Sequence, residues 1–172
     1  ITIPLMNGEE CMGFVGYDSV NSSHNFTERE QTIFDLFSRV LVNIIQRARD
    51  HHELVLSNQR FNAIYENAPI FIGAYDFKKN KTILWNKHCE NTFGWSMEEL
   101  QASENPFELF YPDPDIRKAV IDSVTLHQSH KFETWYPVTK NGNQLATNWL
   151  NFALPDGLII NLGYDITAQI SA

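Results

Sequence analysis

The chain has 172 residues, 43 % hydrophobic and 20 % charged, the balance of a folded globular chain and not of a disordered one. Thirteen basic against 21 acidic residues give a net charge of −8, which argues against nucleic acid or an anionic membrane as partner, since both need a basic face to displace counterions. Cys11 and Cys89 are too few for a disulfide scaffold, so a reducing, cytoplasmic setting is expected, and no apolar run reaches membrane-spanning length.

Residues 1 to 20 read as a hairpin. Ile1, Ile3 and Leu5 alternate with polar or small neighbours, Asn7-Gly8 supplies the turn, and Cys11 to Tyr17 resumes as a strand. Opening at Ile1, in what reads as a strand already under way, the chain is expected to be a piece of something longer. Two strands alone are marginal in water, so the hairpin must lean on another element. Gly13-x-x-Gly16 is too short for a phosphate loop and is expected to mark close backbone packing.

Thr27 to Ala68 holds neither Gly nor Pro, and its periodicity is helical. Thr27-x-x-Glu30 is a capping box that opens the helix. Phe34, Phe37, Leu41, Ile44 and Ala48 recur at alternating three- and four-residue steps, a coiled-coil-like seam that predicts a parallel homodimer. Unbroken, the helix would be roughly 60 Å long at ~1.5 Å per residue. A bend or break is expected near Ser57-Asn58, because both residue types favour caps over helix interiors.

From Phe61 onward the pattern is α+β. Ile70 to Phe77 and Thr82 to Trp85 read as strands around a Lys79-Asn80 turn. Ser96-x-x-Glu99 is a second capping box, with Trp95 and Leu100 placed as a hydrophobic staple. Asp113-Pro114 caps a helix whose face carries Ile116, Val120 and Val124. Strands at Lys131 to Thr139, Leu145 to Leu154 and Leu158 to Asp165 follow, joined by Asn141-Gly142 and Pro155-Asp156-Gly157. The order predicts a five-stranded antiparallel sheet with helices on one face.

These residues also carry a family resemblance. Glu66-Asn67-Ala68-Pro69 before the first strand, Asn86 after the second, Phe93-Gly94-Trp95-Ser96 with Glu98-Glu99-Leu100, Tyr111-Pro112-Asp113, Lys140-Asn141-Gly142 and Asp165-Ile166-Thr167 resemble, in order and spacing, the motifs of PAS sensor domains. Ile3-Pro4-Leu5, the Asn7-Gly8 turn, Gly13-Phe14-Val15-Gly16-Tyr17 and the helix from Phe26 to Arg49 resemble the closing hairpin and last helix of a GAF domain. The organisation so implied is a GAF remnant at 1–50, a signalling-helix linker at 51–60, a PAS domain at 61–169 and the start of a further linker at 170–172. This implies a multidomain bacterial signalling protein.

Candidate chemistry is sparse. His52-Glu53-Leu54 resembles the phosphoacceptor box of histidine kinases but lacks the Arg and Pro that follow it there. His51 and His52 do not have the i, i+4 spacing of a helical metal pair. Cys89 is read as a structural thiol, since the Asn-Cys-Arg-Phe segment of flavin-adduct photosensors is missing, which excludes that photoadduct. His127 lies near where haem-binding PAS domains place their iron ligand. Ser123, Gln128 and Ser129 make this a polar helix end, where a His also suits the dipole, so haem is not expected. Trp85, Phe93, Phe107, Phe110, Trp135 and Trp149 either fill a core or line a ligand pocket together with Asn151. Asn148 and Asn151 fall on opposite faces of one strand, and the inward one must find a partner. Asp165 and Thr167 sit where the last strand ends, Thr167 well typed to cap an outgoing helix, and are candidates for relaying a signal.

No Ser-His-Asp set, phosphate loop or metal cluster is present, so the fragment is expected to be non-catalytic. The expected function is a sensory and dimerisation region that passes ligand or partner binding through helices to an output domain in the same chain. A diguanylate cyclase or phosphodiesterase, or a histidine kinase, is the expected output. The alternative is a ligand-free protein–protein interaction module.

Overall fold

The computed structural model describes residues 1–126 and 131–170. The chain divides into two compact units, Ile1–Arg60 and Phe61–Ala172.

In the first unit, β1 (Thr2–Asn7) and β2 (Glu10–Gly16) pair antiparallel around a turn at Gly8. Gly13 does not mark close packing as expected, because a Cβ built there meets nothing within 4 Å. Its φ of +155° lies where side chains are disfavoured, and it stands beside the register shift between Leu5 and Met6. A bulge, and not a close approach, explains the residue. The capping box forms as read: Glu30 N–H donates to Thr27 Oγ1 and Thr27 N–H donates to the Glu30 carboxylate at 2.7 Å. Helix α1 (Glu28–Asn67) then leans on the hairpin, with Phe34 stacked on Tyr17 at 4.0 Å and Leu5 and Val42 both buried.

The expected break at Ser57-Asn58 is absent, and α1 is one continuous helix across both residues. Both residues are exposed, so neither has a buried backbone group to compete for. Each then costs only its intrinsic helix propensity, a few tenths of a kcal/mol, too little to open a helix that contains no Gly or Pro.

In the second unit, β3 (Phe71–Asp76), β4 (Lys81–Trp85), β5 (Glu133–Trp135), β6 (Thr147–Ala153) and β7 (Ile159–Asp165) form one antiparallel sheet in the order β4-β3-β7-β6-β5. Between β4 and β5 come α2 (Lys87–Phe93), α3 (Met97–Ala102), α4 (Pro106–Phe110) and α5 (Pro114–Leu126). Strand β5 is shorter than expected. Beyond Trp135 the ladder is interrupted at Pro137, which has no N–H to give it; pairing resumes as a single bridge between Val138 and Gln144, and Val138 N–H donates on its outer side to the Phe110 carbonyl.

The cap signals set the helix ends. Ser96 and Glu99 make a complete capping box on α3 and Leu100 is buried. Asp113 accepts from the amides of Asp115 and Ile116 at the start of α5. Val120 and Val124 bury one face of α5, while Ile116 in its first turn stays exposed. Gly94, at φ +80°, ends α2 in the left-handed conformation that frees the chain to reverse.

Asn86 has no exposed surface. Its Oδ1 accepts from Cys89 N–H and Ile72 N–H, and its Nδ2 donates to the carbonyls of Tyr65 and Ile70, both at 3.0 Å. One side chain thus joins the last turns of α1, the start of β3 and the N-terminus of α2.

Candidate functional site

Strand alternation decides which side chains of the sheet face the helices. The ladder puts Gly73 beside Asn161 and Asn161 beside Asn151, a row across three strands. The next row is Phe71, Gly163 and Trp149. Above these rows lies a cavity of about 90 Å³.

The candidate pocket residues converge here. Trp85, Phe93 and Phe107 line this cavity, and so do Phe110, Trp135, Trp149 and Asn151. A glycine lies beneath each of two of its indoles, and at Gly163 only a glycine leaves room. Trp149 lies over Gly163, where an added Cβ would stand 2.6 Å from its ring, and Trp85 lies over Gly73, where the same atom would stand at 3.5 Å. Phe93 bridges the two, 5.5 Å from Trp85 and 6.3 Å from Trp149 between centroids. Trp149 is further fixed by donating from Nε1 to Thr147 Oγ1 at 2.8 Å.

The polar part of the wall is small. Asn161 Nδ2 donates to Asn151 Oδ1 at 2.7 Å, and both side chains line the cavity. Asn161 was not singled out from the sequence. The turn at Pro155-Asp156-Gly157 centres the hairpin on Asp156 and so sets Asn161 opposite Asn151, a signal that was there to use. Asn148, on the other face, accepts from Thr134 Oγ1 and donates to the Tyr164 hydroxyl.

Among the described residues no Asp, Glu, Lys, Arg or His lines the cavity. Burial raises the phenols of Tyr75 and Tyr111 above their ordinary range, so both wall tyrosines are neutral. Cys89 is buried under the sheet and does not line the cavity; desolvation pushes its thiol up to about 12. His51 and His52 are exposed on α1, and His127 lies outside the described residues. No group of His, Cys, Asp or Glu among the described residues is arranged to hold a metal.

At the end of the sheet, Thr167 N–H donates to the Asp165 carboxylate at 2.7 Å. Thr167 Oγ1 accepts from Ala146 N–H at 3.0 Å, tying the first residue of α6 (Thr167–Ile170) to the chain just before β6. The seam residues of α1 divide. Phe34 and Leu41 are half-buried in the first unit, whereas Phe37 and Ile44 are exposed alongside Ile33, Leu36 and Val40.

Solved PAS and sensory-box domains are similar to this chain in fold. The second unit has the PAS fold. A domain of a sensory-box sensor histidine kinase/response regulator from Geobacter sulfurreducens is similar at TM-score 0.53 and 21 % identity, covering 65 % of this chain and 96 % of that one. The PAS domain of an HTR-like protein from Haloarcula marismortui is similar at TM-score 0.53 and 16 % identity, covering 69 % and 99 %. An RNA-binding Light-Oxygen-Voltage receptor is similar at TM-score 0.54 and 13 % identity, covering 68 % of this chain and 35 % of that one. No protein-family model and no curated protein matches the chain. No helix among the described residues is long and apolar enough to cross a membrane.

Proposed function

We propose that the PAS-fold unit is a non-catalytic sensory domain that takes a small molecule in its cavity and passes the change to an output domain in the same chain. A histidine kinase, or a diguanylate cyclase or phosphodiesterase, is the output proposed. The observation that carries this reading is a mainly apolar cavity whose few polar groups include a paired amide and whose described lining holds no ionised group, the usual composition of a ligand site. The cavity is small beside the ~300–1,000 Å³ of drug-sized sites, which points away from a flavin and towards a compact ligand.

Signal leaves along the strands that hold the amide pair. Strand β7 carries Asn161 and ends at Asp165, and β6 begins where Thr167 Oγ1 is bound. A ligand that shifts these strands moves the two hydrogen bonds that set the direction of α6, and a helix amplifies small shifts at its base. The first unit is proposed as a GAF remnant, and the exposed residues of α1 as the contact of a parallel homodimer in the cytoplasm.

The purified chain is examined by mass spectrometry before and after denaturation. A small molecule released from the wild type and missing from Val124→Trp, which fills the cavity, supports the reading. If the wild type and a folded Val124→Trp release the same compounds, or neither releases any, ligand sensing by this cavity is refuted.

An interaction module is the competing reading. It is favoured by the opposite face of the sheet, where Leu150, Phe152, Ile160 and Leu162 are only partly buried and Phe132 is exposed.

A further inference from the structure

We infer that the cavity is selective for an uncharged single-ring lactam or imide, a ligand presenting an N–H and a C=O side by side to Asn151 and Asn161. This rests on the ligand-sensing reading above and names the chemical class that the same site takes.

Charge is decided by the wall. An ionic ligand would shed its hydration shell and meet no counter-charge, because none of the described lining residues is ionised. Size is decided by volume. An apolar cavity of about 150 Å³ holds one benzene ring, so about 90 Å³ limits the ligand to one small ring.

Polarity is decided by the amide pair. Two primary amides offer donors and acceptors on both sides, and the pair uses one of each, from Asn161 Nδ2 to Asn151 Oδ1. Asn151 Nδ2 and Asn161 Oδ1 are left with no hydrogen bond to another described residue. Neither atom is among the buried polar atoms sealed without a partner, so both remain reachable. Exchanging the nitrogen and oxygen of both side chains gives the same result, one amide NH2 group and one carbonyl oxygen left without a partner. Next to Asn161 in the row stands Gly73, which has no side chain to cover it. A ketone of the same shape satisfies only the donor, whereas a lactam satisfies donor and acceptor together. Sites built to pair a substrate N–H reject the analogue that lacks it, because a desolvated acceptor is left unpaired.

The test uses 2-pyrrolidinone and cyclopentanone, rings of one size that differ by N–H against CH₂, titrated into the full chain and followed by ¹H–¹⁵N NMR. The lactam is expected to bind at least tenfold tighter than the ketone and to shift the side-chain amide signals of Asn151 and Asn161. In the double variant Asn151→Leu/Asn161→Leu, the two are expected to bind within twofold of each other. Equal binding of the two to the wild type overturns the lactam selectivity and leaves ligand sensing standing. Binding of neither overturns the selectivity too, and ligand sensing is then decided separately by the released-ligand measurement. The wild-type ratio stands on its own should the double variant fail to fold.

Discussion

Replacing Gly163 by Ala tests the packing on which the cavity depends. The new Cβ would stand 2.6 Å from Trp149 Cε3, 2.7 Å from Cδ2 and 2.9 Å from the Asn148 carbonyl oxygen. The ring must retreat by about 0.8 Å to reach 3.4 Å, the near edge of ordinary contact. It cannot slide away freely, because Nε1 is held on Thr147 Oγ1 and Phe71 stacks against it at 5.4 Å. Overpacking of this kind costs about 1–3 kcal/mol. Loss of the indole hydrogen bond adds about 1 kcal/mol. Thermal unfolding followed by circular dichroism should then show Tm lowered on the order of 10 °C, given roughly 2–4 °C per kcal/mol for chains of this size. Gly73→Ala is the internal control. Its Cβ would meet Trp85 at an ordinary 3.5 Å, and its backbone is not left-handed, so stability should change by no more than ~1 kcal/mol. Equal Tm values for the two variants would refute the close approach of Trp149 to Gly163.

Asn86→Ala leaves two backbone donors and two carbonyls without their side-chain partner in a fully buried place, and urea titration should show a loss of about 3–5 kcal/mol. A thiol reagent at pH 8 should modify Cys11 at once and reach Cys89 only in denaturant; two rapid equivalents in the native state would contradict its burial. Because the folded Cys89 thiol titrates at about 12 against 9.0 for the free group, its contribution to stability is complete below pH 9 and is lost as pH rises towards 12; Cys89→Ala should flatten that fall. Sedimentation at tens of micromolar should show a dimer that Phe37→Glu with Ile44→Glu dissociates, while Phe34→Ala weakens the first unit instead; a monomeric wild type refutes the dimer. In a chain that carries the proposed output domain, Asp165→Ala and Thr167→Ala should uncouple output from input at a stability cost of ~1 kcal/mol, and normal signal-dependent output in both would refute the relay.

Local chemistry made most of the fold legible. Capping boxes at Thr27 and Ser96, the Asp113-Pro114 start and the four hairpin turns all rest on interactions within a few residues. What escaped is set by tertiary packing. Ser57 and Asn58 carry a preference against helix that is real but small beside the continuity of a helix around them. The shortening of β5, by contrast, has a local cause, since Pro137 interrupts the ladder and pairing resumes only as the bridge of Val138 to Gln144. The aromatic residues were identifiable as core or pocket but not as one or the other, since content does not reveal where a void remains. Asn161 and Gly163 belong to the same lesson. Their meaning lies in the strand beside them, Asn151 and Trp149, and only register supplies it.

The Asn86 cluster has a consequence for where this chain can be divided. Tyr65 lies within α1, yet its carbonyl accepts from Asn86 and its hydroxyl accepts from Trp85 N–H at 2.6 Å. Helix continuity would place a boundary after Asn67, at the end of α1, but the last turns answer to the sheet. In native-state hydrogen exchange, the amides around Tyr65 should therefore open with β3 and not with the helix upstream. A chimaera that grafts this PAS-fold unit onto another protein should cross over ahead of Phe61, where the compact unit begins. A crossover at Ala68 would strip out Tyr65 and leave the buried Asn86 with three of its four hydrogen bonds, exchanging a helix for a defect in the interior.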